Sequence, residues 1–301
     1  MTISRVPLCH HGLEVSQLVA GFWRLKHWGK SPKELLGFIQ AIMDMGVTTM
    51  DHAMVYRSEA PFGDALALQP ALRQRMEIVS KCGIRPTGFG PLGAANTNHY
   101  DLSRAAIIES AEASLRDLRT DYLDVLLLHR PDYLMDVHEV AEAFAQLKSQ
   151  GKVRYFGASN FSTAQFDLLQ SVWSDGLVTN QIELSPYHMQ ALDSGVLEQC
   201  AGYGVRPMLW SCLAGGHLLN PIDAQGQRLL AALQRVREEV GADGIEQVVY
   251  AWVLALPCQP LPLLGTSKLE RVADAVKGLS VQLNREQWYS IWEASNGAPV
   301  P

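Results

Sequence analysis

Four side chains of this sequence could act together on a proton: Asp51, Tyr56, Lys81 and His129. A phenol with a pKa near 10 is a poor proton donor at neutral pH. An ammonium beside it stabilises the phenolate and eases the transfer. A carboxylate on the far side of that ammonium would keep it charged and oriented. Asp51, Lys81 and Tyr56 therefore make a chain with Tyr56 as general acid, and the His129 imidazole could hydrogen-bond a substrate oxygen as charge develops there. Each has a plainer reading as well: an ion pair bracing a rim for Asp51 and Lys81, a backbone-satisfied imidazole for His129, packing for Tyr56.

The elements that must position these groups recur along the chain as a short apolar run followed by a helical pattern. Runs at 18–22, 47–50, 76–80, 125–128, 153–157, 177–182, 205–210 and 261–264 read as strands. Stretches 32–45, 102–118 and 137–149 carry apolar residues near a 3.6-residue period. Asp101 or Ser103 starts the second of these helices, and Ser162 caps another. The alternation demands crossovers between parallel strands, and eight strands can close. The fold expected is an α/β (β/α)8 TIM barrel in one domain over 1–301. An N-terminal β-hairpin within 3–14, turning near His11-Gly12, precedes it, and extra C-terminal helices at 269–276 and 285–295 follow. Such barrels carry their active sites at the C-terminal strand ends. Asp51, Lys81 and His129 end the second, third and fourth strands, and Tyr56 lies in the loop leaving the second. Residues 83–100 are expected to form a long flexible loop over that mouth, and Trp23, at the end of the first strand, to line the substrate pocket.

Composition narrows the function. A chain of 301 residues, 48% hydrophobic, can bury one large core. A net charge of -6 argues against a nucleic-acid surface, which needs a basic face. No apolar run reaches membrane-spanning length and the start MTISRVPLCHHG lacks a signal-peptide core, so no membrane contact and a cytoplasmic location are expected. The cysteines (Cys9, Cys82, Cys200, Cys212, Cys258) are scattered, as in a protein of a reducing compartment. Cys9-His10-His11 lacks a second ligand cluster, so no metal is expected. Gly88-Phe-Gly90-Pro-Leu-Gly93 fits a dinucleotide fingerprint, but it follows no strand directly and opens no helix, so it is set aside. The oligomeric state is not legible.

Several segments together resemble the aldo-keto reductases: GVTTMDHAMVYRSE at 46–59 with FGDAL at 62–66, SLRDLRTDYLDVLLLHRPD at 114–132, GKVRYFGASNF at 151–161 and NQIE at 180–183. The match runs in order from about residue 5 to 280. The resemblance implies a barrel that binds NADPH (or NADP) in extended form without a Rossmann motif, and a catalytic tetrad falling on Asp51, Tyr56, Lys81 and His129. It implies cofactor contacts at Gly21, at Ser159, Asn160 and Gln181 around the nicotinamide carboxamide, and at Trp210 stacking on the ring. It further implies a pyrophosphate segment at Ser211, Cys212, Leu213, Gly215 and Gly216, whose glycines allow close backbone approach. Cys212 stands where many relatives carry Pro. Gly265, Thr266, Ser267, Lys268 and Arg271 match the grip on the 2′-phosphate, which favours NADP over NAD. Asp274-Ala275 replaces a common Glu-Asn pair, so one adenine hydrogen bond is expected to be missing.

The activity implied is reduction of an aldehyde or ketone, a small-molecule carbonyl substrate, by NADPH, with the proton from Tyr56. Two rivals predict different behaviour. A nucleotide-binding redox sensor would bind NADPH with negligible turnover; a hydrolase or isomerase built on Asp51 and His129 would bind no nicotinamide.

Overall fold

The computed structural model describes residues 3–10, 12–88 and 95–301. A hairpin opens the chain, β1 (Arg5–Pro7) pairing antiparallel with β2 (Glu14–Ser16). It closes through a turn in which Gly12 N–H donates to Cys9 O; His11 lies outside the described residues. Next come β3 (Val19–Gly21), β4 (Thr49–Asp51) and β5 (Glu77–Cys82). A ribbon of β6 (Ile84–Arg85) and β7 (His99–Tyr100) interrupts them. The set is completed by β8 (Leu123–Leu128), β9 (Val153–Ser159), β10 (Asn180–Glu183), β11 (Met208–Trp210) and β12 (Leu261–Leu264). Strands β3, β4, β5, β8, β9, β10, β11 and β12 close into one parallel barrel in that order. This is the (β/α)8 architecture expected, with the hairpin before it and the helices Leu269–Gly278 and Arg285–Asn296 after it.

Period-two alternation decides which residues reach the lumen. Val19, Val79, Val125, Leu127, Met208 and Leu261 pack together inside the barrel, and Leu8 and Val15 of the hairpin plug its N-terminal end. Their neighbours Ala20, Met50, Ile78, Leu126, Ile182 and Leu209 point outward into the layer shared with the helices. Counting on by twos from the inner set places Gly21, Lys81, His129 and Trp210 on the inner face near the C-terminal strand ends, where Asp51 joins them through Lys81 and Gln181 through Asp51.

The helices begin where capping chemistry says they should. Ser31, Ser162 and Asn284 each form a capping box with Glu34, Gln165 and Gln287, and Ser103 caps Arg104–Leu118. One close approach fixes the wall behind the site. A Cβ on Gly63 would stand 2.1 Å from Asp117 O, so only glycine lets the helix Glu59–Leu66 lie against Arg104–Leu118.

The segment 83–100 departs from the flexible loop expected. Its base is ordered by the β6/β7 ribbon and by Asn98, whose Oδ1 accepts from Thr87 N at 2.7 Å. Two-residue strands are too short to show a period. Residues 89–94 lie outside the described residues, and with them most of the Gly88–Gly93 fingerprint.

Candidate active site

All four candidate catalytic residues converge at the C-terminal mouth. Lys81 Nζ donates to Asp51 Oδ1 at 2.6 Å and to His52 O at 2.8 Å, and the pair is almost wholly buried. Asp51 and Lys81 lie within β4 and β5 rather than just beyond them, so the ladders Asp51↔Val79 and Lys81↔Leu127 hold their backbones. His52 adds a second clamp. Its ring stacks on Phe22 at 4.8 Å and meets Phe62 edge-on, while Nδ1 lies 3.0 Å from Ser58 Oγ. Burial, with Lys81 nearby, pushes the His52 imidazole down to about 3, so it stays neutral.

Tyr56 ends the short 3-10 turn Met54–Tyr56, and the chain leaves it through Arg57 at φ 55°, a left-handed conformation. The turn brings the phenol oxygen to 3.3 Å from His129 Nε2 and sets the ring 5.2 Å from Lys81 Nζ. The ammonium was expected to bring the phenol below its ordinary value. The net direction here is upward: burial dominates, the cations Lys81 and Arg130 pull against it, and Asp51 partly cancels Lys81. His129 moves the other way, held well below its ordinary value by burial and by the same two cations. At neutral pH the site thus presents a protonated phenol against a neutral imidazole.

Beside these groups lies an amide cluster. Gln181 Nε2 donates to the second oxygen of Asp51 at 2.8 Å. Ser159 Oγ donates to Gln181 O at 2.9 Å, and Asn160 Nδ2 donates to Ser159 Oγ at 2.8 Å and to His129 O at 3.2 Å. Trp210 Nε1 donates to Asn160 Oδ1 at 3.1 Å, which turns the indole toward the lumen. Asn160, Ser211 and Ala214 all have positive φ. Non-glycine residues held there store strain, and strain collects at functional sites.

These residues line one cavity of about 550 Å3. Of the positions proposed from sequence, Gly21, Trp23, Asp51, Tyr56, His129, Ser159, Asn160, Gln181, Trp210, Ser211, Cys212, Leu213, Gly215, Gly216, Gly265, Thr266 and Arg271 border it. Lys81 lies beneath the floor, and Ser267 and Lys268 stand off the wall. Trp23 is 60% exposed on the rim, its ring 6.3 Å from that of Tyr56. Asp274 borders the cavity too, whereas Ala275 is buried in the core. Arg24 and Arg130 also line it and were not singled out from the sequence. Their only signal was adjacency, to Trp23 and to His129. A separate groove of about 730 Å3 around Lys277 and Gln282 contains none of the four central residues.

The chemistry of the walls fits an extended dinucleotide. Gly216, at φ 101°, takes a backbone conformation closed to other residues, and a Cβ on Gly265 would meet nothing within 4 Å. The helix Leu269–Gly278 starts without a side-chain cap, leaving its first N–H groups available to an anion near Arg271.

A closed parallel barrel with a Tyr–Lys–Asp–His constellation at its C-terminal mouth defines a class of oxidoreductase barrels, and the comparisons agree. The profile of the Aldo/keto reductase family matches residues 17–296. "Oxidoreductase YdhF" of Escherichia coli (strain K12) is 51% identical, covering 99% of this chain and 100% of its own length. A "6-dehydroglucose reductase" of Agrobacterium fabrum is 41% identical over 96% of this chain and 97% of its own. Among solved structures, the thermostable aldo-keto reductase Tm1743, crystallised with the inhibitor epalrestat, superposes with a TM-score of 0.81 at 24% identity, covering 97% of this chain and 100% of the other. This chain belongs to the aldo/keto reductase family.

Proposed function

We propose that the chain is an NADPH-dependent reductase of aldehydes or ketones in which Tyr56 delivers the proton. The observation that carries this reading is the 3.3 Å contact of Tyr56 OH with His129 Nε2 at the floor of one cavity, above the Lys81–Asp51 pair. Bound NADPH would supply the hydride, and the product would be the alcohol. A phenol raised above its ordinary value keeps its proton until a carbonyl oxygen gains negative charge. Lys81 then stabilises the phenolate left behind, and Asp51 holds Lys81 in line. A neutral His129 can offer one N–H to the same oxygen.

Ser159, Asn160 and Gln181 would hold the carboxamide, which fixes the nicotinamide face, and Trp210 would cover the ring. The segment 211–216 would carry the pyrophosphate. Arg271, with Lys268 and the free helix N-terminus, would take the 2′-phosphate, which favours NADP over NAD. Five unpaired cysteines suit a cytoplasmic enzyme. The test is nicotinamide oxidation over aliphatic, aromatic, sugar-like and dicarbonyl substrates with NADPH and NADH in parallel. Turnover with a clear NADPH preference is expected. Tight NADPH binding without turnover would instead indicate a redox sensor, and equal use of NADH would remove the 2′-phosphate assignment.

A further inference from the structure

Arg130 stands out among the charged groups of the cavity. It follows His129 directly, where β8 ends, and its guanidinium lies 5.9 Å from the Trp210 ring centroid, half-buried on the cavity wall. No carboxylate pairs with it among the described residues. Arginines elsewhere do have partners: Arg73 and Arg5 reach Asp124 and Glu77 at 2.7 Å each. The acids that border the cavity are placed elsewhere. Asp51 is engaged by Lys81 and Gln181. Glu246 and Asp274 belong to the helices Ile245–Leu254 and Leu269–Gly278, and Arg271 lies with them. Arg24, the other cation of the rim, lies over the Trp23 ring at 5.1 Å, and its NH2 is 3.7 Å from where a Cβ on Gly215 would be, on the side of the loop after β11.

An arginine facing a cavity without a counter-ion is a site for an oxyanion, which its planar fork binds through two parallel hydrogen bonds. Building on the reductase reading, we propose that Arg130 selects carbonyl substrates carrying a carboxylate or phosphate a few bonds from the reacting carbon. Arg130 lines the same cavity as Tyr56 and His129, so an oxyanion on Arg130 and a carbonyl at Tyr56 and His129 can belong to one molecule. Arg130 also acts on both through space, holding each toward lower pKa, though less than burial and Lys81 do. The Trp210 ring, 5.9 Å from the guanidinium, supports it by cation–π attraction.

The experiment compares two matched pairs with NADPH: 4-oxobutanoate against butanal, and glyceraldehyde 3-phosphate against glyceraldehyde. In the wild type the anionic member should exceed the neutral one in kcat/KM by on the order of 10-fold or more in at least one pair, as expected for a charge-assisted hydrogen bond. The pair that shows it tells carboxylate from phosphate. R130M should collapse the ratio toward one, chiefly through KM, and R130K should keep part of it. Any effect of Arg130 on Tyr56 is common to both members and cancels in the ratio. Succinate, which cannot be reduced, should raise the Tm of the wild type and not of R130M. If R130M does not fold, R130Q, which also lacks the charge, supplies the same comparison. A wild-type ratio near one in both pairs, or a preference that the variants leave unmoved, overturns the proposal while the reductase reading stands. No NADPH oxidation with any of the four carbonyls also overturns the proposal, and the reductase reading falls with it only if the broader aromatic and dicarbonyl panel is silent as well.

Discussion

The two ends of the barrel use buried charge in opposite ways. At the N-terminal end, where β5, β8 and β9 begin, Asp124 accepts from Arg73 at 2.7 Å, Ile78 N at 2.9 Å and Arg154 at 3.1 Å. Both guanidiniums lie on the Tyr122 ring, at 3.8 and 3.9 Å. Glu77 is similarly filled, by Arg5, Thr48 and Thr49. At the C-terminal end the Asp51–Lys81 pair is just as buried, yet it is ringed by groups with capacity to spare: the Tyr56 hydroxyl, a neutral His129, and Arg130 without a counter-ion among the described residues. Saturated charge holds strands in place, whereas unsaturated charge beside a cavity can act on something that enters. The difference agrees with the general division of such barrels into a stabilising and a reactive face.

Breaking each end should therefore give a different loss. The largest effect is expected from Tyr56→Phe, which keeps the ring and removes the proton: kcat should fall by ~10²–10⁴ while the melting temperature stays within a few degrees of wild type. Near-normal turnover would remove Tyr56 as donor. At the other end, Asp124→Ala strips Arg73 of its buried counter-ion and Ile78 N of its acceptor. Urea unfolding should show a loss of about 3–5 kcal/mol, with kcat per folded molecule retained. An equal loss of kcat would erase the distinction between the ends.

Glu59 sharpens the comparison, since it is buried behind the reactive end. It bonds to Ser80, whose side chain points out of the barrel opposite to that of Lys81. Burial raises its carboxyl from 4.5 to about 7, Asp117 adds to the rise, and Ser80, Ser114 and Lys81 oppose it. Between those values the folded chain keeps a proton that the unfolded chain has released. Stability contributed by Glu59 should thus fall as pH rises from about 4.5 to 7, by on the order of 3 kcal/mol. Glu59→Gln should flatten that slope and be the more stable protein at pH 8. Parallel pH profiles for the two proteins would show that Glu59 is not the titrating group.

Much of this was legible in the residues because the same alternation that closes the barrel also aims the chemistry. Once Val79 and Val125 are read as inward, Lys81 and His129 follow two and four residues on. Ser162 marked a helix start through chemistry confined to one turn, and of the two candidates Asp101 and Ser103 it is Ser103 that caps the other. What stayed hidden depends on contacts distant in sequence. The β6/β7 ribbon joins two dipeptides 14 residues apart, and Gly63 is required by a helix that lies some 50 residues further on. The upward direction at Tyr56 reflects how deeply the phenol is buried, which spacing does not reveal. Arg130 stays inconspicuous in sequence because an arginine after a strand is ordinary until its surroundings show no carboxylate paired with it among the described residues.

The most direct test of the account follows the hydride. NADPH carrying deuterium at the transferred position of C4 should leave its label on the carbinol carbon of the product, and Tyr56→Phe should suppress labelled product by the same factor as turnover. Alcohol formed without deuterium at that carbon, or formed equally well by the Phe variant, would contradict the claim that this mouth joins hydride delivery to a proton from Tyr56.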